Sequence, residues 1–228
     1  NYNLHDMNIV EIGLGKFGAS LAKILTSLGH EVLAVDNDLT KVEYFKDMVA
    51  NTICLDATDP HALRLLPVKE ADVFVVCIGD DFGISVMIAA LLKKLGVARV
   101  ICRESSSIHL TVLNAIGIRE TINPEYESAK IIAHKLPFKG IQNMFSITDS
   151  FKIIDMVMPV LLIGKKYSPV EFRKETHLKI IALKRNHRIV YSSAQAAENE
   201  DKIGIDFREN DILVLVGEIK DIRRFLHE

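Results

Sequence analysis

The chain predicts an α/β protein, a Rossmann-like doubly wound parallel sheet followed by a small α+β C-terminal domain. Three observations lead there. From Met7 to about residue 136, strand-length apolar runs alternate with helix-length stretches, the order that gives parallel βαβ units. The first apolar run opens directly into Gly13-Leu14-Gly15-Lys16-Phe17-Gly18, and the second ends on an acid, Asp36. Beyond Pro137-Phe138-Lys139-Gly140 the spacing shortens, which places the boundary between a domain at 1–140 and one at 141–228.

Each element has its own signal. Met7 to Ile12 reads as the first strand, an amphipathic helix follows the glycines, and Gly29 stops it before the strand Glu31 to Val35. Thr40 to Met48 reads as a short helix and Ala50 to Leu55 as a third strand. Asp56-Ala57-Thr58-Asp59-Pro60 offers capping side chains and a proline for a first helical turn. Val73 to Ile78 is apolar throughout, as a strand covered on both faces must be. The helix Phe82 to Leu95, the strand Val97 to Cys102 and the helix Ser107 to Ala115 complete the alternation. A short strand, Glu120 to Ile122, and a helix, Tyr126 to Leu136, lead to the linker. The C-terminal part reads as a strand from Phe151 to Met158 and a helix Ser168 to Arg173 with Pro169 in its first turn. A hairpin around Asn186-His187, a strand Asp211 to Val216 and a final helix Ile219 to Phe225 follow.

The glycine stretch carries the chemistry. Gly13 permits a tight turn, Gly15 lets backbone N–H groups approach a phosphate, and Gly18 lets helix and strand pack closely. The helix start adds positive partial charge facing the same phosphate. Asp36 stands where an acid accepts hydrogen bonds from ribose hydroxyls, which disfavours a 2′-phosphate and hence NADP. In doubly wound sheets ligands bind beyond the carboxyl ends of the strands. The residues there are Gly13 to Gly18, Asp36, Asp56 to Thr58, Ile78-Gly79, Arg103 and Glu125. Asp56 and Thr58 serve equally as helix caps, and Glu125 equally as an acid that offsets a helix dipole.

Composition narrows the function. With 28 basic and 30 acidic residues and no long run of one sign, the chain lacks the electrostatic footprint of a nucleic-acid binder. No apolar stretch has the length of a membrane span and no signal peptide is visible, so a cytoplasmic location is expected. Cys54, Cys77 and Cys102 lie in or at the ends of predicted strands, where they suit small buried hydrophobes; their spacing fits no zinc pattern.

With this order laid out, the chain resembles the RCK (regulator of potassium conductance) family, in particular the soluble regulatory subunits of Trk/Ktr-type potassium uptake systems. The resemblance rests on GLGKFG, GHEVLAVD, LDATD, VCIGDD and NPE in order. It continues through IGKKYSPVEFRKETHLKIIALKRNHRIV and FRENDILVLVGEIKDIRRF, nearly the whole chain. It implies a homo-oligomer, dimers assembling into an octameric ring under a potassium-translocating membrane subunit. It further implies ATP or ADP, or NAD(H), in the Rossmann cleft, and no catalysis. Asp36 then matches the ribose acid, Asp56, Ala57 and Thr58 the adenine loop, Ile78 and Gly79 the cleft wall, and Arg103 a basic position. Glu125 matches an acid that supports Mg or Ca between neighbouring sites. Lys16 stands where several Ktr-type members have arginine. Some relatives bind cyclic di-AMP in the C-terminal domain. The alternative is an NAD-dependent oxidoreductase, for which the sequence offers no positioned acid or base.

Overall fold

In the computed structural model, which describes residues 6–196 and 203–227, the strand β1 (Asn8–Ile12) lies at the centre of a six-stranded sheet. Its neighbours are β2 (Glu31–Asp36) and β4 (Val73–Val76), both parallel to it. β3 (Asn51–Cys54) continues the sheet on one side, and β5 (Val100–Arg103) and β6 (Glu120–Ile122) on the other, giving the order β3-β2-β1-β4-β5-β6. The chain thus winds outwards from β1 to β3, returns, and winds the other way from β4. Between β1 and β4 the connections leave in opposite directions, which opens a crevice beyond their carboxyl ends.

Alternation along the strands sorts the core into two layers. Val10, Ile12, Phe74, Val76 and Cys102 face α3 (Pro60–Leu63), α4 (Phe82–Lys94) and α5 (Ser107–Ala115), packing on Leu63, Ile88, Ala89, Leu92 and Leu113. Ile9, Val73, Val75 and Cys77 pack with Phe17, Leu21 and Leu25 of α1 (Lys16–Ser27). Val32 and Ala34 pack with Ala19 and Ala22 of α1 and with Val42 of α2 (Leu39–Phe45). Four of these helices start on side-chain caps: Asp38, Asp59, Asp81 and Ser106 each accept a backbone N–H. α1 differs. Its N-cap is Gly15, with no side-chain hydrogen bond and no acid in the first turn, so its leading N–H groups face the crevice unengaged by any cap.

The helix α6 (Pro124–Lys135) follows, with no buried residue, and the chain divides into two compact units between Tyr126 and Glu127. That division lies within α6, upstream of the turn around Gly140. In the second unit the sheet runs β11-β10-β13-β8-β7. These strands are β7 (Ile141–Ser146), β8 (Phe151–Val157), β10 (Lys179–Arg185), β11 (Arg188–Ser192) and β13 (Ile212–Glu218), all antiparallel. β9 (Lys166–Tyr167) and β12 (Ile205–Asp206) form a separate pair. α7 (Pro169–Thr176) begins on the capping box Ser168/Glu171 and extends three residues beyond the predicted Arg173. α8 (Ser193–Ala196) and α9 (Ile219–His227) complete the unit. The hairpin turn is as expected, with Asn186 and His187 both at positive φ, the two-residue turn whose twist matches the strands. β7 carries no sequence signal; its alternation is broken by a register shift between Ile141 and Asn143. Among the described residues no helix is long and apolar enough to cross a membrane.

Candidate functional site

The crevice at the switch point is a cleft of about 790 Å³. Gly13, Gly15, Lys16, Phe17, Asp36, Asp56, Ala57, Thr58, Ile78, Gly79, Arg103 and Glu125 all line it. Of the stretch Gly13 to Gly18, Leu14 and Gly18 stand behind the wall. The three glycines have separate reasons. Gly13 sits at φ +111°, where an L side chain is strained, and donates its N–H to Val35 O at 2.7 Å, tying the turn to β2. A Cβ on Gly15 would meet nothing within 4 Å, so its bare backbone borders open space in the cleft. A Cβ on Gly18 would lie 2.0 Å from Gly13 O and 2.2 Å from Glu11 Oε1, so only hydrogen fits where α1 crosses β1.

Asp36 is 8% exposed and firmly held. Oδ2 accepts the Leu14 N–H at 2.7 Å and meets Lys41 Nζ at 3.5 Å; Oδ1 accepts the Asp38 N–H at 2.9 Å. A carboxylate offers about four acceptor positions, so one on Oδ1 remains for a hydroxyl in the cleft. Sequence reading assigned Asp36 to a ligand alone; it also fixes the glycine turn through Leu14. Lys41, missed earlier, is legible in hindsight as a base one turn into the helix that follows the acid.

Asp56 accepts from Thr58 N–H at 2.9 Å and from Thr58 Oγ1 at 2.7 Å, which holds its carboxyl below the usual range. The cap of α3 is Asp59, which accepts from His61 N at 2.8 Å. Asp56 and Thr58 are therefore not the helix cap; they form a closed turn on the cleft wall.

Arg103 is positioned from three sides. Its guanidinium lies over Gly79, where a Cβ would come within 2.4 Å of Cζ, and 5.8 Å from the Phe17 ring centroid. It also forms an ion pair with Glu125, whose side chain is 64% exposed against 16% for the arginine. The first turn of α6 thus presents a carboxylate already paired with a cation. Among the described residues no group of three or more His, Cys, Asp or Glu is placed to hold a metal ion.

Two of the cysteines behave as the sequence suggests: Cys77 and Cys102 are buried, and burial pushes the Cys102 thiol up to about 12 and Cys77 well above its ordinary value. Cys54 departs from expectation. It is exposed, because β3 is an edge strand, and its thiol donates to Asn37 O at 3.6 Å. Glu11 is the residue sequence reading passed over. It is fully buried in β1, and burial raises its carboxyl to about 8. An acid inside an otherwise apolar central strand was the available signal.

A parallel sheet with a glycine turn, an uncapped helix start and a buried acid ending β2 defines a Rossmann-type domain. Residues 9–124 match the TrkA-N domain family model. The chain is 32% identical over 217 residues to Ktr system potassium uptake protein A of Bacillus subtilis (strain 168), covering 95% of this chain and 94% of that protein. It is 28% identical over 214 residues to Ktr system potassium uptake protein C of the same organism, covering 94% and 93%. The chain belongs to the TrkA-N, or RCK, family. The GsuK RCK domain superposes with a TM-score of 0.62 at 16% identity, over 99% of this chain and 48% of that one, a likeness of fold.

Proposed function

We propose that this chain is a nucleotide-sensing regulatory subunit that gates a potassium-translocating membrane protein of the Trk/Ktr type. The observation that carries the reading is convergence. The glycine turn, the uncapped start of α1, Asp36, the Asp56–Thr58 turn and Arg103 come from separate stretches of sequence and meet in one cleft at the switch point. Relatives aligned over nearly the whole chain are named as potassium uptake proteins, which supports the transport role.

In this reading the α1 start and Gly15 receive the phosphates, the free position on Asp36 Oδ1 receives a ribose hydroxyl, and Asp56 to Thr58 border the base. ATP, ADP and NAD(H) share the adenosine-diphosphate unit those groups address. Lys16 is a point charge for a terminal phosphate. Glu125 joins a divalent cation, Mg or Ca, only after exchanging Arg103 for it. The chain works as a homo-oligomer, dimers closing into an octameric ring on the inner face of the membrane, since symmetric rings couple many sites to one pore. The C-terminal domain is the module for a second ligand such as cyclic di-AMP. Asp36 and Glu125 are both engaged in contacts that hold geometry, which suits binding and not proton transfer to a substrate.

Calorimetric titration of ATP, ADP and NADH into the intact chain, with and without magnesium, tests the cleft. Micromolar or tighter binding is expected. No heat from any of the three would refute the nucleotide role.

A further inference from the structure

Glu11 has no role in the nucleotide site as described, yet it lies directly beneath it. β1 has strands on both sides, so its side chains have no edge route to water. The carboxyl is fully buried and points at the start of α1, with Oε1 beside the position a Gly18 side chain would take. Among the described residues neither carboxylate oxygen has a hydrogen-bond partner of normal geometry. The groups facing it can be named element by element. Cys77, just past β4, offers a thiol, which is a weak donor. Asp36 at the end of β2 contributes like charge and is itself paired with Lys41 of α2. Arg103 at the end of β5 acts on Cys77 and is already paired with Glu125, and Cys102 points into the opposite layer. From α1 come the backbone amides of the first turn and the exposed Lys16.

Among the described residues, the positive potential that faces Glu11 and is neither paired with an acid nor turned to solvent is the start of α1, the group proposed to hold the phosphates. Carboxylate and phosphate would compete for it from opposite sides of the glycine turn. A neutral carboxylic acid leaves it to the ligand.

We infer that Glu11 makes a proton the co-ligand of the nucleotide: the protonated acid is the binding-competent form, and its ionisation opposes phosphate at the α1 start. Nucleotide occupancy then falls as pH rises through the Glu11 titration, and binding at mildly alkaline pH takes up protons. Burial places that titration at about 8, where small pH changes alter the proton occupancy. This rests on the nucleotide-site reading above. Each unit by which bound phosphates raise the Glu11 titration is a tenfold change in affinity across it.

The test is calorimetric titration of ADP, and of NADH in parallel, at pH values from about 7 to about 9.5 in paired buffers of different ionisation enthalpy. Over most of this range a terminal phosphate, with its second pKa near 6, is almost fully ionised, and NADH carries no terminal phosphate. The unmodified chain is expected to take up a fraction of a proton and to lose affinity roughly tenfold over the range. Glu11→Gln should bind with no such uptake and an affinity flat with pH. Should that variant not fold, Glu11→Val, a strand-forming apolar residue, answers the same question. Binding by the unmodified chain without proton uptake, or uptake that persists in the variants, overturns the inference. Absence of ADP and NADH binding at every pH overturns the nucleotide site itself, and with it this inference, and is a distinct result.

Discussion

Glutamine at position 11 keeps the size of the side chain and removes its titration, so it isolates what the buried acid does to folding. In the native chain burial raises the carboxyl from 4.5 to about 8. Between those values the folded chain holds a proton that the unfolded chain has released. Stability therefore falls as pH rises from about 4.5 to about 8 and levels off above, because the unfolded state binds fewer protons throughout that window. At about 1.4 kcal/mol per unit, the native protein loses roughly 3 kcal/mol by pH 7 and roughly 5 kcal/mol in all from this one group. Near-complete burial leaves little solvent screening to reduce the figure. Other groups titrate in the same window, so the quantity to measure is the difference between Glu11→Gln and the unmodified chain. Urea unfolding followed by circular dichroism, without nucleotide, at pH values from about 5 to about 9 gives it. The variant should gain several kcal/mol relative to the native chain across that range. Parallel stability curves would refute the reasoning and mean that Glu11 reaches a partner or water that keeps it ionised.

Other perturbations act at other points of the cleft. Asp36→Ala should weaken ADP binding about tenfold or more, since hydrogen bonds to a charged group contribute roughly 1.5–3 kcal/mol, as read by calorimetry. It should also lower stability by about 1–3 kcal/mol, because the Leu14 N–H loses its acceptor; unchanged affinity would remove the ribose assignment. Gly18→Ala should destabilise by about 1–3 kcal/mol or more through its clash with Gly13 O, as read by thermal unfolding. Magnesium or calcium should tighten ATP binding more than ADP binding, and Glu125→Gln should abolish the difference. Equal responses of the two nucleotides in the unmodified chain would leave Glu125 as the partner of Arg103 alone.

Much of the site was legible because its residues are types with few alternatives. A turn at φ +111° beside a crossing helix needs glycine at both Gly13 and Gly18, and an acid ending the second strand has few reasons to be there. The doubly wound order followed from apolar runs covered on both faces, as in Val73 to Val76. What could not be read depends on contacts distant in sequence. Gly79 was nominated as cleft wall, and only the fold shows that Arg103, arriving from β5, requires it to be glycine. Asp36 was seen as a ligand contact, while its bond to Leu14 required the two ends of the turn in space. Glu11 stands in a run that reads as a strand, and only the sheet order shows that this strand is central and has no polar side. β7 was lost to a bulge, which breaks the period of two that reveals a strand. The boundary near Gly140 rests on the shortening of the element spacing; the two compact units meet inside α6, which buries nothing and so gives no apolar stripe to follow.

Potassium uptake into liposomes containing a co-purified Trk/Ktr-type membrane subunit, with this chain added, joins the cleft to its proposed role in a single readout. A ligand shifts a conformational equilibrium only through unequal affinity for its states, so nucleotides that the cleft distinguishes should produce distinct fluxes. Uptake should change with the choice of ATP or ADP when the unmodified chain is present, and that dependence should disappear with Asp36→Ala. Uptake that is the same with and without the chain, whatever the nucleotide, would contradict the assignment of a gating subunit.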